Sequence, residues 1–208
     1  MKYSFKYIVI FVVIVAMLSS CARVRVAGER VGSENVAHVT NIYQYSFLTM
    51  NPLGMKRLNK DLSTFNNQLA DALRTKNFRV TAEEAQSVAA KNNLAINVTQ
   101  YNQYFNNIIQ TGSVGGKVIP VNDIIRSNRA TEENLQISHR LILFPSMTTY
   151  TGPTANASAD VRWWLQDARN DTVIAQGTIH YIADIRGFPG KDMAEQLTQK
   201  LEALGIRG

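Results

Sequence analysis

The chain has 208 residues, of which 45% are hydrophobic and 18% are charged, and its net charge is +6. This composition is typical of a folded globular domain and excludes an intrinsically disordered chain. The positive charge is mild and no run of Lys or Arg exceeds two residues, which argues against a nucleic-acid partner. The length fits one domain of ordinary size.

Residues 1–20 have the three-part pattern of an export signal. Lys2 and Lys6 give a positively charged start, and a nearly unbroken apolar run follows from Tyr7 to Leu18. The run is about 12 residues long, which suits a signal peptide and is shorter than the roughly 20 residues that span a bilayer. We therefore predict that residues 1–20 are a cleaved signal peptide.

The segment Leu18-Ser19-Ser20-Cys21 resembles the lipobox of bacterial lipoproteins, and Cys21 is the only cysteine in the chain. The resemblance implies that a diacylglycerol is attached to the sulfur, that cleavage precedes Cys21, and that the new amine is acylated, for example with palmitate. The alternative is an ordinary signal peptide with a chance cysteine. Position 22 is Ala rather than Asp, which resembles lipoproteins sorted to the outer membrane and facing the periplasm; the inner membrane is the alternative.

The first half of the mature chain begins with a short membrane-proximal tether at residues 21–35, in which Arg23–Val26 alternates as a short strand would. Val36–Phe47 is rich in β-branched and aromatic residues and predicts a strand. A helix follows from Asn51-Pro52. Its apolar stripe consists of Leu58, Leu62, Phe65, Leu69 and Leu73. Phe78–Thr81 predicts a short strand, and a capping box predicts a helix at Ala82–Asn92.

The second half begins with Leu94–Tyr101, a further candidate strand, and an irregular excursion at 102–136 that is rich in Asn and Gly. The later elements are a strand at His139–Met147, a hairpin of Asp160–Gln166 and Val173–Ile185, and a helix from Pro189 that Gly205 ends. The order β-α-β-α-β-β-β-α predicts an α/β (α+β) fold with a mixed sheet and packed helices. Residues 36–208 form its single domain.

No combination of residues indicates catalysis, so we predict no enzyme, no cofactor and no metal site. His38, His139 and His180 lack the spacing of metal ligands. Four aspartates lie near the 160–184 hairpin: Asp160, Asp167, Asp171 and Asp184. Aspartates at strand ends usually form turns, but a cell-wall or glycan hydrolase using two of these carboxylates remains an alternative.

The candidate interface residues are aromatic. Adjacent strand residues point to opposite faces, so Trp163 and Trp164 cannot both enter the same core. Val161 and Leu165 share the face of Trp163, which predicts that Trp163 is buried and that Trp164 is an exposed contact residue. The alternative is that both faces of the sheet are covered and both rings are buried. The tract containing Tyr101, Tyr104 and Phe105 is a second candidate surface.

Two segments resemble small α/β accessory lipoproteins of the bacterial envelope. They are the helix-to-strand segment Phe65–Arg74 with Phe78–Val80, and the hairpin Val161–Ala168 with Val173–Gly177. That group includes auxiliary lipoproteins of ABC transport systems, activators of peptidoglycan synthases, and curli- or exopolysaccharide-secretion lipoproteins. The resemblance implies a non-catalytic accessory protein that binds the bilayer through acylated Cys21 and an envelope protein partner. Self-association into a homo-oligomer and a lipid- or small-ligand-binding function stay open.

Overall fold

The computed structural model describes residues 23–31, 39–48, 56–83, 86–87, 125–151, 156–184 and 186–208. These residues form an α+β fold with one extensive sheet and three helices. In chain order the elements are β1 (Val24–Arg30), β2 (Asn41–Leu48), α1 (Lys56–Arg74), β3 (Arg79–Ala82), β4 (Gln86–Ser87), α2 (Arg129–Asn134), β5 (His139–Thr151), β6 (Asn156–Asp167), β7 (Val173–Ala183) and α3 (Gly190–Ala203).

The sheet is mixed, as the sequence predicts. Its strand order is β1-β7-β6-β5-β2-β3, and β4 also pairs with β2. Strand β2 is parallel to β3, β4 and β5, whereas the β5–β6, β6–β7 and β1–β7 pairs are antiparallel. The parallel β2–β3 pair is joined by α1, because parallel neighbours need a crossover connection.

Helices α1 and α3 cover one face of the sheet and enclose the larger core. The predicted stripe on α1 is buried there from Leu62 to Leu73, and α3 contributes its own apolar stripe. From β6, Val161, Trp163 and Leu165 enter this core together, which confirms the predicted alternation. Leu197 and Leu201 of α3 and Ile179 and Tyr181 of β7 also enter this core at helix and strand spacing, so the periodicity of the sequence predicts this face.

The opposite face is also covered over β2, β5 and part of β6. Its second core contains Tyr43, Tyr45, Phe47, Ile142, Phe144 and Trp164, with Ile125 and Ile137 packed on them from the segment around α2. Trp164 is therefore only 4% exposed. The prediction of an exposed Trp164 ring is wrong, and the alternative that both indoles are buried is right, because α2 supplies a second layer.

Tertiary pairing overrides local propensity at two further places. The helix predicted from Ala82 is wrong in its first part, since Gln86–Ser87 is a strand that pairs with Phe47 and Leu48 of β2. The rest of that helix and the strand predicted at 94–101 lie outside the described residues. Within the predicted tether, the strand expected at Arg23–Val26 continues to Arg30, because β7 supplies hydrogen-bonding partners along its length.

The end of α3 is formed as predicted. Gly205 has a φ of +77°, a conformation that glycine adopts without steric cost. The backbone N–H groups of Gly205 and Ile206 donate to the carbonyls of Glu202 and Leu201, respectively. These two bonds make a Schellman motif, which satisfies the last helical carbonyls.

We expect Trp163→Ala and Trp164→Ala each to lower the free energy of unfolding by about 3–5 kcal/mol, because each removes a buried aromatic ring and leaves a cavity. Urea unfolding of the domain measures both changes. Gln199→Ala, at an exposed position of α3, is the control and should change stability by less than about 0.5 kcal/mol. A Trp164→Ala midpoint equal to that of the control would contradict the burial of this ring.

Candidate functional site

One part of the sheet carries polar side chains on the face opposite α1 and α3, and we call it the polar face. Alternate residues of β1, β7 and β6 enter the helix-covered core, so their neighbours point the other way. Cross-strand pairing aligns these neighbours in three rows. The rows are Arg25, His180 and Asp160; Ala27, Thr178 and Arg162; and Glu29, Gln176 and Trp164.

A groove of about 570 Å³ crosses the polar face. Ala27, Gly28 and Gly177 lie along it, and the short side chain of Ala27 leaves this part of the polar face open. Arg162, Thr178 and the Glu29–Gln176 pair line its sides, and the Gln176 amide donates to Glu29 at 3.0 Å. This lining is rich in hydrogen-bonding groups, so the groove suits a hydrophilic ligand better than a lipid chain.

The two groove glycines are required by the packing below them. A Cβ on Gly177 would lie 2.0 Å from the carbonyl oxygen of Ala27, and one on Gly28 would lie 2.3 Å from the Trp163 ring. The indole N–H of Trp163 also donates to the Ala27 carbonyl at 3.2 Å. Sequence reasoning missed this arrangement, although isolated glycines inside strand patterns signal close backbone approach.

Asp160 and His180 form a hydrogen-bonded pair on the polar face. His180 Nδ1 lies 2.7 Å from Asp160 Oδ1, and both side chains are partly exposed. A carboxylate that orients an imidazole is one half of a general-base arrangement. Among the described residues no group of three His, Cys, Asp or Glu side chains is placed to hold a metal ion. A hydrolase that acts at the polar face would therefore have to use the Asp160–His180 pair.

Arginines hold the other three aspartates of the hairpin region. The pairs are Asp167 with Arg169 at 2.6 Å, Asp171 with Arg129 and Arg140 at 2.5 Å each, and Asp184 with Arg186 at 2.5 Å and Arg23 at 3.2 Å. A side-chain hydrogen bond from Arg169 lowers the pKa of Asp167, and one from Arg186 lowers the pKa of Asp184 to about 2. The general acid of a glycosidase needs a raised pKa, so neither carboxylate suits that role.

A buried ion pair fixes α2 to the sheet. Arg140 is 1% exposed and makes two parallel bonds to Glu132, from Nε at 2.8 Å and from Nη2 at 2.7 Å. Tyr45 donates its hydroxyl to the same carboxylate at 2.7 Å, and burial together with Glu132 raises the pKa of this tyrosine. Burial opposes the charge of Arg140, but hydrogen bonds to Glu132 and Asp171 outweigh burial and raise the pKa of Arg140.

We expect Glu132→Gln to destabilise the domain by about 3–5 kcal/mol, because it leaves the buried Arg140 charge with weaker compensation. The matched control is Glu133→Gln, which makes the same change at the neighbouring exposed position. Urea or thermal unfolding compares the two variants. Equal stabilities for both would show that the buried pair does not hold α2 in place.

The structure places the other sequence-predicted residues as follows. His139 is buried, burial lowers its pKa, and its Nδ1 lies 2.9 Å from the Ser138 hydroxyl. Cys21, His38, Tyr101, Tyr104 and Phe105 lie outside the described residues. Trp164 lines the groove but is buried, so an interface role for it and for the 101–105 tract stays a prediction.

The first described residues are joined tightly to the far end of β7, and we call this region the anchor end. The backbone N–H of Ile182 donates to the Arg23 carbonyl at 2.8 Å. The Arg23 guanidinium contacts Asp184 at 3.2 Å and donates to the Gly187 carbonyl. No helix in the described ranges is long and apolar enough to cross a membrane.

The sequence matches no protein family and no curated protein. Among solved structures, it is similar to the PelC dodecamer of Paraburkholderia phytofirmans, with 14% identity, a TM-score of 0.43 and coverage of 89% of this chain and 99% of that one. Lipoprotein GNA1162 of Neisseria meningitidis has 13% identity and a TM-score of 0.43, covering 79% and 97%. The hypothetical protein CT253 of Chlamydia trachomatis has 12% identity and a TM-score of 0.39, covering 79% and 94%.

Proposed function

We propose that this chain is a lipid-anchored accessory protein of the bacterial cell envelope, held at the outer membrane by acylated Cys21 and facing the periplasm. It acts by binding an envelope protein partner and catalyses no reaction. The observation that carries the proposal is the position of Cys21, two residues before Arg23, which is itself bonded into the sheet.

The short connection between Cys21 and Arg23 keeps an acyl chain on Cys21 close to the folded domain. Two residues span at most about 7 Å, so a lipid on Cys21 lies next to the first strand of the domain. Several acyl chains on one residue give stable attachment, whereas a single chain is marginal. A folded domain that begins this close to its anchor acts at the membrane surface and does not reach across the periplasm.

The described carboxylates support a non-catalytic role. Asp167 and Asp184 are ion-paired with lowered pKa values, and the Glu132 carboxylate is used to hold α2. Asp171 is paired with two arginines, so Asp160, with His180, is the hairpin aspartate on which the alternative glycan hydrolase depends. The accessory-protein and hydrolase hypotheses therefore make opposite predictions for a change at the Asp160–His180 pair.

We expect Cys21→Ala to abolish incorporation of a clickable fatty acid and to move the protein out of the membrane fraction. The control is Ser19→Ala, which keeps a small residue before the cleavage point and leaves Cys21 in place. Metabolic labelling followed by mass spectrometry of the amino-terminal peptide measures acylation. Label retained on Cys21→Ala would overturn the proposed anchor.

A second experiment tests the absence of catalysis. The variant Asp160→Asn/His180→Gln removes the Asp160–His180 pair of the polar face without removing buried volume. We expect it to complement a deletion strain like the wild type, and we expect neither protein to release soluble fragments from purified peptidoglycan. Trp163→Ala, which should strongly destabilise the domain, is the comparison variant for loss of complementation. Fragment release by the wild type that the double variant loses would favour the hydrolase.

A further inference from the structure

We infer that the anchor end of the domain lies against the bilayer, with α3 rising from the membrane at its first turn and ending away from it. The inference rests on the proposed acylation of Cys21. It deepens that proposal by naming the surface that faces the lipid, which comprises Arg23, Asp184, Arg186, Gly187 and Lys191.

The direction of α3 follows from contacts at the two ends of β1. At the start of β1, Arg23 donates to the carbonyl of Gly187, which lies just before the helix. At the other end of β1, the Arg30 guanidinium lies 3.9 Å from the position of a Cβ on Gly205, which lies just after the helix. Helix α3 therefore runs alongside β1 in the same direction, away from Cys21.

The side chains of the anchor end suit the headgroup layer of a bilayer. Arg186 and Lys191 are 62% and 81% exposed, and Gly187 has open space where a side chain would stand. Phe188 packs edge-on against Tyr181 at 5.3 Å between ring centroids and is partly buried. Among the described side chains, this end therefore presents charge and backbone to phosphate groups.

Helix α3 carries exposed positions at increasing distance from the anchor end, and labels at these positions can measure the orientation. Every fourth residue on one stripe is exposed: Lys191, Glu195, Gln199 and Ala203. Each step along the stripe raises the position by about 6 Å, so the first and last differ by about 18 Å along the helix axis. All four are exposed, and each step turns by only about 40° around the helix, so height is the main difference between neighbouring positions.

The experiment places one cysteine at a time at these four positions of the full chain and labels it with a fluorophore. Acylation occupies the Cys21 thiol, so only the introduced thiol reacts. The acylated protein is reconstituted in vesicles of phosphatidylethanolamine and phosphatidylglycerol that contain lipids with a nitroxide on the headgroup. We expect quenching to be strongest at position 191 and to fall at each step to 203. Equal quenching at all four positions, or the reverse order, would overturn the inference.

A tether variant tests the cause of the orientation. Inserting about 20 Gly and Ser residues between Ala22 and Arg23 gives a flexible chain with a reach of roughly 25 Å. We expect this insertion to abolish the quenching gradient. A gradient that persists would show that the two-residue connection does not set the orientation.

Failure of the inference and failure of the proposed function give different results. Mass spectrometry of the reconstituted protein reports acylation of Cys21 before any quenching is measured. A Cys21 without lipid overturns the proposed anchor and the orientation together. An acylated Cys21 with no gradient overturns the orientation alone and leaves the lipoprotein proposal standing.

Discussion

The contact between the Trp163 ring and the paired glycines of β1 and β7 decides how the amino-terminal strand joins the domain. Gly28 and Gly177 leave no room for a Cβ, and the Trp163 indole both packs against them and bonds to the Ala27 carbonyl. This contact connects β1 to β6, in addition to the backbone pairing that joins β1 to β7. The position of Arg23, and with it the reach of any anchor on Cys21, depends on that attachment.

A second constraint divides the other face of the sheet into a covered and an uncovered part. The buried Glu132–Arg140 pair holds α2 over the aromatic residues of β2 and β5, and Tyr45 completes the hydrogen bonding of Glu132. A buried ion pair contributes little net stability compared with apolar packing, but breaking it is costly, so it specifies where α2 lies. Beyond Trp164 the face becomes polar and the groove begins.

The anchor end and the polar face are separate parts of the described domain. In the proposed orientation, β1 and α3 rise from the bilayer and the groove lies along the side of the domain, between the two ends of β1. In that orientation the bilayer does not cover the groove.

The sequence by itself determined the elements that depend on neighbouring residues. The stripe of α1, the β6–β7 hairpin and the glycine-terminated α3 follow from periodicity and capping, and the structure confirms them. The tertiary structure alone decided that Gln86–Ser87 is a strand and that Trp164 is buried, because β2 and α2, which are distant in sequence, supply their partners. The same holds for the polar face: alternation predicts which side chains leave the core, but only the pairing of distant strands aligns them in rows.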